Sequence, residues 1–108
     1  MIVVTTPNVP GMKISRCMGL VRGNTVRGRH LGRDITAMLR LLAGGEIREY
    51  SKLMGETREQ AIDRMVEEAR GLGANAVVAV RFQTAEVTRG AAEMLCYGTA
   101  VWVEPEDG

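Results

Sequence analysis

The stretch Leu72-Gly73-Ala74-Asn75-Ala76-Val77-Val78-Ala79-Val80 constrains this chain more than any other. A helical apolar pattern stops there at a glycine, one tight turn follows, and the next five residues, 76–80, carry no polar side chain. A strand with one wet face alternates apolar and polar residues, so a strand apolar at every position is buried on both sides. A chain of 108 residues has little material to cover both faces of a sheet. Sister subunits are therefore expected to supply part of the cover.

The remaining pattern places other elements around that strand. Ile2-Val3-Val4-Thr5 reads as a short β-branched strand, ended by Thr6-Pro7-Asn8 and the Pro10-Gly11 turn. A second strand is expected over 12–26, where Ile14, Met18 and Leu20 alternate with Lys13, Ser15 and Gly19. Val21 breaks this phase, and Gly19, Gly23 and Gly28 suggest a bulged or bent strand close to another backbone. Leu31, Ile35, Met38, Leu39 and Leu42 form one helical stripe running to Ala43, stopped by Gly44-Gly45.

A longer helix is expected over 46–72, with Ile47, Tyr50, Met54, Ala61, Met65, Ala69 and Leu72 inward and Ile62 and Val66 widening the stripe. Gly55 inside it costs about 1 kcal/mol relative to alanine, but the stripe keeps its phase across it, which predicts a continuous helix. Mixed charges cover the outer face, including Arg64 and Glu68 at i,i+4 spacing. Strands over 76–85 and 92–103 flank a turn at 87–90, and 105–108 read as a frayed acidic tail after one domain spanning 1–104. On the last strand Leu95, Tyr97, Val101 and Val103 share one face, and Met94, Cys96, Ala100 and Trp102 the other. The order β-β-α-α-β-β is an α+β pattern, a mainly antiparallel sheet with two helices packed on one face.

Composition narrows the function classes. Aromatics make up 4% of residues against 45% hydrophobic, so aliphatic side chains and seven methionines must fill the core. A net charge of +1 gives no global pull toward nucleic acid or membrane. The charge is uneven, however: residues 1–45 carry seven basic side chains and one acid, Asp34. The aromatics Tyr50, Phe82, Tyr97 and Trp102 do not lie among those arginines, which argues against a stacking nucleic-acid surface. No leader pattern or membrane-length apolar run occurs, so a cytoplasmic protein with reduced thiols is expected. The glycine spacing fits neither a dinucleotide nor a P-loop fingerprint, and no nucleophile has a partnered base, so an enzyme is not expected.

Several short motifs recur in a recognisable order. Thr5-Thr6-Pro7, Gly32-Arg33-Asp34, Gly44-Gly45 with Tyr50, Leu72 through Val78, and Gly98-Thr99-Ala100-Val101 together resemble the YbjQ family, a prokaryotic family of unknown function that bears a heavy-metal-binding label. The resemblance implies a compact ring-forming subunit, a homopentamer sometimes stacked as a decamer, with no established activity. One position departs from it: the family pattern usually has glycine where this chain has Ala79.

Two groups of residues are candidates for binding. Cys17, Cys96 and His30, with Met18 and Met94, are the supply of ligands for a soft divalent or monovalent metal ion. If the strands holding Cys17 and Cys96 pair, the two thiols could approach, and in a ring one ligand per subunit could converge on the axis. Against this, both cysteines can serve as small core residues, with His30 merely flanking a helix. The second group is Arg29-His30-Leu31-Gly32-Arg33-Asp34. There helix amides with Arg29 and Arg33 could hold a small anion, or Arg33 and Asp34 could pair across a subunit boundary.

Overall fold

The computed structural model describes residues 1–27, 47–88 and 91–107. Its elements are β1 (Ile2–Val3), β2 (Met12–Arg27), α1 (Ile47–Gly71), β3 (Ala76–Thr88) and β4 (Ala91–Pro105). The strands form one mixed sheet in the order β1-β3-β4-β2, with β1 parallel to β3 and the other two pairs antiparallel. The fold is α+β, with α1 packed on the sheet. The helix expected over 31–43 lies outside the described residues.

The helix-to-strand turn follows from its residues one by one. Gly73 takes φ +83°, the left-handed conformation that ends a helix. The Ala74 amide donates to the Ala69 carbonyl at 3.1 Å and the Gly73 amide to Arg70 at 3.0 Å, the two bonds of a Schellman cap. Ala69 and Ala74 are both buried in one cluster, supplying the apolar contact that accompanies such a cap. The Asn75 side chain then works as a strand extension: its Nδ2 donates to the Val103 carbonyl at 2.9 Å, and its Oδ1 accepts from the Val103 amide at 2.8 Å.

Ala76, Val77, Val78 and Val80 of β3 are buried, on the two faces of the sheet, as its composition predicts, and Ala79 is half-buried. Val77 and Val80 pack toward α1 with Val21, Ala61, Met65, Ala69 and Cys96, whereas Ala76 and Val78 pack on the other face with Val101 and Val103. The cover for the second face comes from the chain itself, through Ile2, Val4, Val9 and Met12. These four side chains are themselves only partly buried, which leaves apolar surface on this face for a sister subunit to cover. The residues before β2 fold back as a lid, a role that short-range periodicity does not encode.

A bulge makes this lid possible. Val78 pairs with Thr99 and Arg81 with Tyr97, so Ala79 and Val80 together face Gly98. Ala79 has φ +54°, a conformation that disfavours any side chain with a Cβ. The bulge turns two consecutive amides away from β4: Ala79 donates to Thr6 at 2.8 Å and Val80 to Val4 at 3.0 Å. A glycine would hold this backbone conformation without strain.

β2 differs from its predicted alternation. Two register shifts, between Ile14 and Arg16 and between Cys17 and Gly19, each change which face the next residue meets. The two shifts cancel, so Leu20, expected inward, shares with Ile14 the face turned away from α1, where it is 66% exposed, while Val21 on the α1 face is fully buried. Gly23 meets another backbone, as anticipated: a Cβ there would overlap the Ala61 carbonyl oxygen and the Met65 amide nitrogen of α1, and would stand 2.9 Å from Arg64 Cβ.

The helix crosses Gly55 without a break. Among its described side chains Ala61, Met65 and Ala69 are fully buried, whereas Leu72, expected inward, is 49% exposed because the cap turns it outward. Arg64 donates to the Asn24 carbonyl on β2, and Arg70 pairs with Glu67 at 3.2 Å on the outer face, with both side chains exposed. The sheet runs past the expected end at 103: Pro105 pairs with Met12, and the Glu106 amide donates to Gly11 at 3.0 Å.

Two substitutions test these contacts. Gly23→Ala forces α1 off the sheet and is expected to lower unfolding stability by about 3 kcal/mol in urea titration. Ala79→Gly relieves the left-handed strain and is expected to raise stability by about 1 kcal/mol. A loss of stability in Ala79→Gly would contradict the bulge.

Candidate functional site

The two cysteines do not share a site within one chain. β2 and β4 do pair, but Cys17 lies opposite Val101 and Cys96 opposite Gly23. Five residues of β4 separate these positions, roughly 17 Å at strand spacing. They also point to opposite faces, since Val101 packs away from α1 and Cys96 packs beneath it. Cys17 is exposed and Cys96 is buried. His30, Arg29, Arg33 and Asp34 lie outside the described residues. Among the described residues, no three His, Cys, Asp or Glu side chains gather where they could hold a metal ion.

The structure gathers sulfur around Cys96 instead. Because Gly23 lacks a Cβ, the α1 backbone descends onto β2 directly across from Cys96. That brings Met65 over the strand, and the Cys96 thiol donates to Met65 Sδ at 3.5 Å. Met94 precedes Cys96 by two residues on the same face and joins the same buried cluster. Thr25 lies opposite Met94, diagonal to Cys96, 5% exposed, and its Oγ1 has no hydrogen-bond partner among the described residues.

The electrostatics are those of an apolar pocket. Burial pushes the Cys96 thiol above its ordinary value of 9.0, because a thiolate would lose its hydration there. On the β3 side, Phe82 pairs with Cys96 and is 44% exposed, so solvent stands one cross-strand neighbour from the sulfur. Sequence reasoning named Cys96 and Met94 as soft ligands but read Met65 only as core and passed over Thr25. Met65 is assigned by helical periodicity alone; what joins it to Cys96 is the Gly23 register, which no local pattern supplies.

A small sheet with one described helix, a buried sulfur cluster and no described helix long and apolar enough to cross a membrane defines the class. The sequence profile of the YbjQ family, described as "Putative heavy-metal-binding", matches residues 1–104, and the chain belongs to that family. It is 56% identical over 105 residues to a UPF0145 protein of Pyrococcus furiosus, covering 97% of this chain and 92% of the relative. A UPF0145 protein of Thermosipho melanesiensis is 51% identical over 107 residues, covering 99% of each. A crystal structure of a DUF74-family protein of unknown function from Pediococcus pentosaceus shares the fold, with a TM-score of 0.61 at 12% identity over 96% of this chain and 98% of that one.

The raised Cys96 thiol gives a pH prediction. The unfolded chain ionises this thiol first, so stability is fully present below about pH 9 and declines as pH rises above it. Thermal midpoints between pH 7 and 10.5 are expected to fall more steeply for the wild type than for Cys96→Ala. Equal slopes would contradict burial of the thiol.

Proposed function

We propose that the chain is the repeating subunit of a homo-oligomeric ring that serves as a binding module for a soft heavy-metal ion. The observation that carries the assembly is the open sheet. β2 stands at its end with 16 residues and, among the described residues, no strand on its outer side. β1 shields β3 for two residues only, so among the described residues the outer edge of β3 also has no strand beside it from Arg81 onward. An unpaired edge at each end suits head-to-tail contact, which closes into rings when the rotation allows. Beside the β2 edge, Ile14 at 40% and Leu20 at 66% exposure leave apolar surface on the face turned away from α1, next to exposed Cys17. The family resemblance implies five subunits.

The metal part is supported by the family's description and by a donor set of sulfur rather than clustered carboxylates. Light scattering at micromolar concentration is expected to return a multiple of 11.8 kDa, about 59 kDa for five chains. Leu20→Arg is expected to lower that mass while leaving the circular dichroism of the fold intact. A wild-type species of 11.8 kDa would overturn the ring. Titration with Cu⁺, Cd²⁺ and Zn²⁺ is expected to show uptake of at least one soft ion, and no uptake would overturn the metal reading.

A further inference from the structure

The cluster beneath α1 has the composition of a ligand set. A thiol and two thioethers, from Cys96, Met65 and Met94, sit in one buried cluster beneath α1, 0%, 0% and 6% exposed. Cys96 Sγ and Met65 Sδ are 3.5 Å apart. Two sulfurs each about 2.3 Å from a shared ion stand about 3.8 Å from one another, so the pair needs to part only slightly to admit one. We propose that Cys96, Met65 and Met94 form an intrachain site for a soft monovalent cation of the Cu(I) class. This rests on the heavy-metal reading above but not on the ring.

Charge selects the valence. One thiolate with a monovalent ion is neutral and can be held in an apolar pocket. A divalent ion would leave an uncompensated positive charge, and among the described residues the buried cluster contains no carboxylate. Thioether and thiolate ligands also favour Cu(I) over the harder ions. On binding, the Cys96 S–H bond breaks, a sulfur–metal bond forms and the proton leaves to solvent, with no change of oxidation state. The Thr25 hydroxyl then gains what it lacks: a thiolate acceptor diagonal to it on the same face. Thr25 is thus a positioning residue. The partly exposed Phe82 side of Cys96 is the short route in from solvent.

The test is an oxygen-free titration of the reduced full-length protein with Cu⁺ against a chromophoric Cu⁺ chelator. The expected result is one Cu⁺ per chain, with affinity rising about tenfold per pH unit from the released proton. Cys96→Ala is expected to lose at least about 100-fold, and the volume-conserving Met65→Leu and Met94→Leu about tenfold each, with folding checked by circular dichroism. Thr25→Val is expected to lose several-fold in affinity without lowering the metal-free melting point, and Cys17→Ser to bind as the wild type does. X-ray absorption is expected to find three sulfurs around the ion. If Cys17→Ser abolishes uptake while Cys96→Ala and the Met→Leu variants retain it, the proposed site is overturned and the heavy-metal reading stands. Uptake of Cd²⁺ or Zn²⁺ but not Cu⁺ also overturns the site alone. No uptake of any ion overturns both.

Discussion

Burial of Ala76, Val77, Val78 and Val80 on the two faces of β3 is the constraint on which the rest of the structure depends. A strand without a polar face needs cover above and below, and each cover fixes a different part of the chain. Above lies α1, delivered by the cap at Gly73 and held by Ala61, Met65 and Ala69. Below lies the segment from Ile2 to Met12, whose apolar side chains complete the second cluster. The bulge at Ala79 joins the two, because it frees the amides that hook onto Thr6 and Val4. Arg81 strengthens the hook, its Nη1 donating to the Thr5 carbonyl at 2.8 Å.

The close approach of α1 to β2 has a chemical consequence beyond packing. Where the helix backbone rests on Gly23, the neighbouring strand presents Cys96, and the helix presents Met65 to it. A residue larger than glycine at position 23 would lift the helix and separate the sulfurs. Packing and the candidate ligand set are thus the same feature seen from two sides. The thiol kept protonated by burial, the unpartnered Thr25 hydroxyl and the thioethers all belong to one apolar layer.

Much of this fold was legible because it is written in short-range pattern. The Leu72–Asn75 turn, the doubly buried strand and a helix unbroken at Gly55 each follow from glycine chemistry or from period. The faces of β4 also followed, since uninterrupted alternation is reliable where register does not slip. β2 was misread at Leu20 because its apolar alternation follows the face turned away from α1, which stays open at Ile14 and Leu20. The helix covers the Val21 face instead, and which face is covered depends on long-range partners. The N-terminal lid, the β4 extension to Pro105 and the Cys96–Met65 contact were illegible for the same reason: each joins residues far apart in sequence. The pairing of β2 with β4 was foreseen as a condition, but its register separates Cys17 from Cys96 rather than joining them.

Family membership supplies a frame for the chain without supplying an activity, so the weight falls on whether the doubly covered strand is the stable centre of the subunit. Native-state hydrogen exchange on the intact protein measures this directly. The amides of Val4, Ala79 and Val80 are expected to exchange only through global unfolding, far more slowly than those of Arg81–Ala85 on the open edge. Exchange of Ala79 and Val80 at the rate of exposed amides would mean that the N-terminal lid is not closed, and the account would fail at its foundation.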